Sequence, residues 1–295
     1  MSPNLRASIY MVLSMIGFSI NDALVKSLDG LLPNTQIMAV RGLMLSVLIG
    51  LVLWQRGLLP RIKEAAIPIV GFRACMELLA TFFFLLALVE LPFASVSAIL
   101  QALPLAVTLG AALVFREAVG WRRWSAIAVG FLGVMIIIRP GSSGFESASL
   151  FVVVSVVFAA ARDLATRALP TSIPSLLVSA ATTVLVTIFG FVALLFGDNW
   201  VPMNSHQLSV LALASVFLFV GYQYIVQAMR IGDVAYVVPY RYTSLLWSIL
   251  LGFLFFAEVP DGYTILGSTI VIAMGLFTLY RELVRARQQR KSASR

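Results

Sequence analysis

Seven ionisable residues lie inside long apolar stretches of this sequence, where a charge is costly and is usually functional. Arg73 and Glu77 are four residues apart, so they share one face of a helix. Glu77 is the acid nearest the middle of its apolar stretch, where a carboxylate could carry a proton or recognise an ammonium group. The other five are predicted to gate or brace a pathway as ion pairs: Asp22 with Arg41, and Arg162 and Asp163 with Arg241.

A structural interpretation of these charges competes with the functional one. A satisfied ion pair between apolar segments also fixes how helices pack, and Arg73 with Glu77 could be such an internal pair. The two interpretations differ in one outcome: a purely structural Glu77 would leave the protein's activity and its pH dependence unchanged when its charge is removed.

Polar and aromatic side chains at mid-depth form the second set of candidates, because a largely apolar pocket with a few hydrogen-bonding groups suits amphipathic solutes. Packing or lipid contact is the alternative role for any one aromatic residue. Pro104 is included because a proline kinks a helix and frees a carbonyl. The predicted cavity lining comprises Ser14, Phe18, Asn21, Glu77, Phe82, Phe83, Gln101, Pro104, Tyr222, Gln223, Tyr240, Tyr242 and Trp247.

The elements that position these residues follow from the composition. Of the 295 residues, 60% are hydrophobic and 12% are charged, and the mean hydropathy is +0.98. Average soluble domains are about 45–50% apolar and about 25% charged, so lipid must cover much of this surface. Residues 168–197, 93–115 and 207–229 carry no charge, and each run reaches the roughly 20 residues that a membrane-crossing helix needs.

Ten membrane spans are predicted, and the basic residues between them indicate the orientation. The spans lie near 6–26, 34–54, 67–89, 92–115, 122–139, 149–168, 174–197, 206–229, 234–257 and 262–281. With the N-terminus in the cytoplasm, fifteen lysines and arginines lie on the inside and only Lys26 and Arg139 lie outside. Both termini are therefore predicted to be cytoplasmic in a multi-pass protein of the bacterial inner membrane. The net charge of +8 then reflects topology and anionic lipid, not nucleic acid.

An internal repeat appears when the chain is shifted by 141 residues. The shift aligns Asp22 with Asp163, Pro33 with Pro174, and Glu117 with Glu258. We predict one five-helix repeat over 1–141, a second over 142–282, and a basic cytoplasmic tail over 283–295. An odd number of spans makes the second copy enter the membrane from the opposite side, and inverted halves are typical of secondary transporters.

These segments resemble the drug/metabolite transporter superfamily. The resemblance lies in residues 87–98 with the motif 115–117, and in the counterparts 228–235 and 256–258. It is greatest to EamA-type members with two five-helix halves, and within them to bacterial inner-membrane exporters of amino acids, including aromatic ones. It implies an all-α membrane protein with ten transmembrane helices around a central cavity, lined by spans 1, 3, 4, 6, 8 and 9, with spans 5 and 10 at the periphery.

The predicted function is secondary transport of small amphipathic metabolites by alternating access, with export of aromatic and other neutral amino acids as the leading substrate class. Another metabolite such as S-adenosylmethionine, or a drug-like cation, is the alternative. A channel, a membrane scaffold or an intramembrane enzyme is a weaker alternative, since the sequence has no nucleotide-binding loop and no H-E-x-x-H.

One histidine and one cysteine make no metal site, so no cofactor is expected. Ten spans suffice to enclose a pathway in one chain, which is compatible with a monomer.

Overall fold

The computed structural model describes residues 3–116, 120–142, 144–170, 172–197, 199–231 and 234–293. Glu117 of the repeat motif lies outside the described residues, and so do the side chains of 230, 234, 235, 282, 283 and 285–293, which include the basic side chains of the predicted tail. Within the described ranges the regular structure is helical, without strands. The helices are α1 Pro3–Lys26, α2 Asn34–Gln55, α3 Pro68–Glu90, α4 Phe93–Leu100, α5 Leu103–Val114, α6 Trp121–Ile138, α7 Ala148–Arg167, α8 Ser175–Phe196, α9 Ser205–Ile231, α10 Val234–Val237, α11 Thr243–Phe256 and α12 Gly262–Ala293.

Across the described part of the chain, nine segments are long and apolar enough to cross a membrane. One of them is Phe93–Val114, which combines α4 and α5. The ninth predicted span, near 234–257, is not among these segments and is interrupted, because α10 passes into the 3-10 turn Val238–Tyr242 before α11 begins. Pro239 lies in that turn and has no N–H to donate, so a regular α-helical ladder cannot run through it.

Pro104 accounts for the break between α4 and α5. Its ring would clash with the carbonyl of Leu100 in a continuous helix, and the chain turns at Gln101 and Ala102 instead. The hydroxyl of Thr108 donates to the carbonyl of Pro104 over 2.9 Å. The predicted kink is therefore present, two to three residues ahead of the proline.

The helices form two compact units, each of which we name after one of its tightly packed helix pairs. The α2–α8 unit contains residues Gly17–Glu90 and Leu150–Tyr222. A Cβ added at Gly190 would lie 2.5 Å from the backbone nitrogen of Ala39, and one added at Gly42 would lie 2.6 Å from the hydroxyl of Thr187. Glycine thus lets α2 and α8 approach closely, as small residues do between membrane helices.

The α6–α12 unit contains Met1–Ile16, Leu91–Ser149 and Gln223–Arg295. Its helices α6 and α12 touch at Gly133 and Gly267, where a Cβ on Gly267 would lie 2.5 Å from the carbonyl of Gly133. Asp261 caps α12 by accepting from the backbone N–H of Thr264 over 2.8 Å, and it forms an ion pair with Arg139 at the end of α6. Partial burial raises the pKa of Asp261, but the hydrogen bonds from Thr264 and the charge of Arg139 outweigh it, so the pKa lies below its usual value.

Each unit joins segments from both predicted repeats. The α2–α8 unit combines most of the first three spans with the sixth, seventh and most of the eighth, and the α6–α12 unit holds the fourth, fifth, ninth and tenth. The unit boundaries fall inside α1 and α9, after Ile16 and after Tyr222.

Candidate functional site

Helices α3 and α7 bring four of the predicted charges together in the α2–α8 unit. Arg162 Nη1 lies 2.9 Å from Glu77 Oε2, and Arg162 Nη2 lies 2.8 Å from Asp163 Oδ1. Arg73 Nη2 approaches Glu77 Oε2 to 3.9 Å. The side chains of Arg73, Glu77 and Arg162 are only 11–18% exposed, so Glu77 is a buried carboxylate shared by two guanidinium groups.

Arg73 has neutral partners as well. Its Nη1 donates to the hydroxyl of Thr182 over 2.7 Å, and its Nε donates to the hydroxyl of Thr166 over 2.9 Å. All three nitrogens of Arg73 therefore have a partner, as do all three of Arg162, whose Nε donates to Asp163. Such full pairing is what a buried arginine needs to offset its desolvation.

Asp22 and Arg41, predicted as a direct pair, are linked through Asn21. Arg41 Nη1 donates to Asn21 Oδ1 over 3.3 Å, and Asn21 Nδ2 donates to Asp22 Oδ1 over 2.8 Å. Arg41 is 7% exposed and Asn21 is 2% exposed. An amide with one donor and one acceptor group can face both charges at once, which explains why it stands between them. We call Asn21, Asp22, Arg41, Arg73, Glu77, Arg162 and Asp163 the buried charge cluster.

Five phenylalanines of α3, α7 and α8 pack together and form what we call the phenylalanine cluster: Phe82, Phe83, Phe151, Phe158 and Phe189. The Phe83 ring stacks on Phe158 with centroids 5.8 Å apart, and the Phe82 ring meets Phe83 and Phe189 edge to face. Phe158 lies one helical turn before Arg162 on α7. The phenylalanine cluster and the buried charge cluster are thus one turn apart on that helix.

A second aromatic pair lies beside Asn21 and Asp22. Phe18 contacts Tyr222 edge to face with centroids 5.4 Å apart, and Gly221 leaves the space that the Phe18 ring fills. A Cβ on Gly17 would lie 3.0 Å from the carbonyl of Phe217, so α1 and α9 are close at this point. Phe18 is four residues before Asp22, on the same face of α1.

The remaining candidates belong to the α6–α12 unit. Gln101 is buried and donates to the hydroxyl of Ser244 over 2.9 Å, and one turn away the hydroxyl of Ser97 donates to Ser248. The candidates Ser14, Pro104, Gln223, Tyr240 and Arg241 are buried or half-buried, and Tyr240 packs against Tyr236.

Tyr242 and Trp247 each bury a polar atom without a hydrogen-bond partner among the described residues: the Tyr242 hydroxyl and the Trp247 indole Nε1. The Tyr242 hydroxyl packs against Gly275 of α12, where any Cβ would collide with it. Two buried donors near the start of α11 therefore have no hydrogen-bond partner in the described part of the chain.

Three polar residues were not recognised as internal from the sequence. Thr182 holds Arg73, and Lys26, counted among the outside residues, is buried and donates from Nζ to the carbonyl of Leu88 over 3.0 Å. Gln36 is fully buried and binds both backbone groups of Val201. The only signal available was their polarity next to apolar runs, which does not distinguish a buried residue from one at the membrane surface.

Two features define the class of protein. Nine segments in the described ranges have spanning length, and one unit holds largely buried acids and arginines one helical turn from clustered aromatic rings. Together they are typical of an integral membrane transporter for small solutes. No group of three or more His, Cys, Asp or Glu side chains in the described ranges could hold a metal ion.

The chain belongs to the EamA-like transporter family, which it matches twice, over residues 5–139 and 146–280. The family match and the nine spanning-length segments of the described ranges show a multi-pass membrane protein. A solved crystal structure superposes with a TM-score of 0.67, covering 95% of this chain and 98% of that chain at 19% identity, which shows a shared fold.

Curated relatives carry chemically different solutes. The chain is 34% identical to a riboflavin transporter of Rhizobium johnstonii, over 68% of this chain and 66% of that protein. It is 27% identical to the S-adenosylmethionine uptake transporter of Rickettsia prowazekii, over 65% of this chain and 64% of that protein. It is 28% identical to a pseudopaline exporter of Pseudomonas aeruginosa, over 88% of this chain and 91% of that protein. The chain thus spans just under two thirds of the length of the first two of these relatives.

Proposed function

We propose that this protein is a secondary transporter of small amphipathic metabolites that works by alternating access in the bacterial inner membrane. The buried charge cluster carries the proposal, because it places three acids and three arginines among apolar helices. Balanced charges of this kind are costly to bury, and a solute that brings its own charges can exchange partners with them.

The substrate class we propose carries an aromatic or heterocyclic ring together with charged or hydrogen-bonding groups. The phenylalanine cluster and the pair of Phe18 and Tyr222 supply ring faces and edges in the same unit as the charges. Aromatic amino acids fit this description and lead the proposal. Riboflavin and S-adenosylmethionine, which the named relatives transport, fit it as well and are the alternative substrates.

The architecture we propose for this cycle is ten spans in two inverted halves, with both termini in the cytoplasm. Two hydrogen-bonded pairs in the α2–α8 unit support it, because each joins segments predicted on one side of the membrane. Gln36 at the outer end of α2 binds Val201, which is also predicted outside. Arg61 Nη2 donates to the carbonyl of Ser172 over 3.2 Å, and both loops are predicted inside. The two separate family matches, each about one half of the chain, support the duplication.

Counterflow in proteoliposomes tests the proposal. The full-length protein would be reconstituted and loaded with unlabelled L-tryptophan, riboflavin or S-adenosylmethionine, with the same labelled solute outside. A carrier gives transient, saturable accumulation that depends on solute on the opposite side, and at least one of the three solutes is expected to show it. Protein-free liposomes are the control. Flux that neither saturates nor responds to internal solute would indicate a channel and contradict the proposal.

A further inference from the structure

The three arginines of the buried charge cluster differ in how many of their donors are engaged. Arg73 and Arg162 have a partner within 4.0 Å for each of their three guanidinium nitrogens. Arg41, in contrast, makes one side-chain hydrogen bond to the described residues, from Nη1 to Asn21 over 3.3 Å. Arg41 is nevertheless 7% exposed, so most of the guanidinium is withdrawn from solvent with donors to spare.

Asp22 complements Arg41 in this respect. In the described part of the chain, its carboxylate accepts one hydrogen bond, from Asn21 to Oδ1 over 2.8 Å. Asn21 is therefore held between a guanidinium with unused donors and a carboxylate with an unused oxygen. The Asn21 amide lies between the two opposite charges and forms a hydrogen bond with one edge of each.

A solute with one anionic and one cationic group would pair with the unused donors of Arg41 and the unused oxygen of Asp22. A carboxylate pairs with the fork of a guanidinium through two parallel hydrogen bonds, and an ammonium pairs with a carboxylate oxygen. A solute that carries both groups on neighbouring atoms, as an α-amino acid does, meets the two requirements together. Phe18 lies one turn from Asp22 on the same face of α1 and contacts Tyr222, so these rings lie where the side chain of such a solute would pack.

We propose that Arg41, Asn21 and Asp22 form a zwitterion subsite in which Arg41 binds a substrate carboxylate and Asp22 binds the adjacent ammonium. Arg73 and Arg162 are then the structural arginines that hold Glu77 and Asp163, and Arg41 is the arginine that discriminates between solutes. This inference rests on the proposed transport function and deepens it by naming the two polar groups that a preferred substrate carries.

Three indole compounds test the subsite with the reconstituted full-length protein: L-tryptophan, tryptamine, which lacks the carboxylate, and indole-3-propionate, which lacks the amine. In counterflow competition the wild-type protein is expected to prefer L-tryptophan to either analogue by about tenfold or more, as expected for a charge-assisted hydrogen-bonded pair. Arg41→Gln is expected to abolish the preference over tryptamine, and Asp22→Asn the preference over indole-3-propionate.

Arg73→Gln is the matched control, because it removes another largely withdrawn guanidinium, 13% exposed, that is engaged by Thr166 and Thr182. Its transport rate is expected to fall while the ratio between L-tryptophan and tryptamine stays at the wild-type value. Arg41→Lys keeps the positive charge but removes the two-pronged guanidinium. It replaces Arg41→Gln in the test if that variant does not fold, as judged by its melting temperature in detergent. Arg41→Lys is expected to exchange both solutes with a smaller preference for L-tryptophan over tryptamine than the wild-type protein has.

The outcomes separate the subsite from the transport function. Equal loss of discrimination in the Arg41 and Arg73 variants, or a wild-type protein that prefers tryptamine, would overturn the subsite. Counterflow of riboflavin without counterflow of any indole compound would also overturn it, while leaving the transporter proposal in place. Absence of counterflow with every solute would overturn both.

Discussion

At the scale of single residues, Glu77 is the carboxylate on which two arginines converge. Replacing Glu77 by Gln leaves Arg162 and Arg73 facing a neutral amide inside the protein. We expect the free energy of unfolding to fall by about 3 kcal/mol, the usual effect of breaking a buried ion pair, and counterflow to fall by about tenfold or more. Thermal unfolding in detergent and the initial counterflow rate measure the two effects.

Glu64→Gln is the control for Glu77→Gln. Glu64 accepts two hydrogen bonds from Arg61 in the exposed turn after α2, and these lower the pKa of the Glu64 carboxyl below its usual value. Because water screens such an exposed pair, the melting temperature and the counterflow rate should stay unchanged. If Glu77→Gln preserves the transport rate and its pH dependence, Glu77 acts only as a brace between helices.

Part of the candidate site could be predicted from the sequence. Because the chain carries few charges, each acid and arginine in an apolar run is a clear candidate, and the spacing of Arg73 and Glu77 places both on one face of α3. The partners of these residues on other helices could not be predicted in the same way. Arg162 pairs with Glu77 across 85 positions, and Asn21 separates Asp22 from Arg41, because side-chain reach and helix rotation decide pairings that depth alone leaves open.

At the scale of helices, Asp261 sets the start of α12. Asp261→Ala removes the acceptor for the N–H of Thr264, and we expect a loss of about 1 kcal/mol in the free energy of unfolding. Asp261→Asn should lose less, because its amide oxygen still caps the helix. The measurement is thermal unfolding of both variants against the wild type at pH 7.

The same residue gives a pH dependence with a definite sign. The pKa of Asp261 is lower in the folded protein than its ordinary value, so its charge stabilises the fold above that ordinary value. The stabilisation is lost as the pH falls through the lowered folded pKa. The melting temperatures of the wild type and Asp261→Asn should therefore differ at pH 7 and converge below about pH 4. A difference that persists at low pH would show that the ion pair with Arg139 is not its source.

A further prediction concerns the close contact between α2 and α8 at Gly190. Gly190→Ala places a methyl group 2.5 Å from the backbone nitrogen of Ala39, and a backbone cannot move aside as a side chain can. We expect a loss of about 1–3 kcal/mol in the free energy of unfolding. Gly50→Ala on α2 is the matched control, because nothing lies within 4 Å of its added Cβ. Gly50→Ala should unfold at or slightly above the wild-type temperature, because Ala favours helix. Equal melting temperatures for the two variants would contradict the close contact.

The helices themselves are largely predictable from the sequence, but their interruptions and contacts are less so. Apolar runs of spanning length locate nine of the ten predicted spans, and Pro104 signals the break between α4 and α5. Pro239 carries the same signal for the turn before α11, although the prediction treated that span as continuous. Glycine contacts such as Gly190 with Ala39 depend on a partner about 150 positions away, so no local pattern reveals them.

At the scale of the whole molecule, the segment from Val234 to Phe256 decides whether the chain crosses the membrane nine or ten times. With nine crossings, Arg139 and Asp261 would lie on opposite sides of the membrane. These two residues form an ion pair, and Glu258 accepts from the backbone N–H of Phe93 over 2.6 Å. Both contacts lie within the α6–α12 unit and join segments that only a ten-span chain places on the same side.

Cysteine accessibility tests this count directly. Cys75, the single cysteine of the sequence, would be replaced by Ala, and single cysteines introduced as Ser142→Cys, Val259→Cys, Lys63→Cys and Ser172→Cys, all at exposed positions. We expect an impermeant maleimide to label positions 142 and 259 in intact cells, and positions 63 and 172 only after permeabilisation. A nine-span chain would label 142 but not 259 from outside, because the broken segment would return to the cytoplasmic side. That result would remove the inverted duplication and the basis for alternating access, whereas labelling of both positions from outside supports ten spans with each half crossing five times in opposite senses.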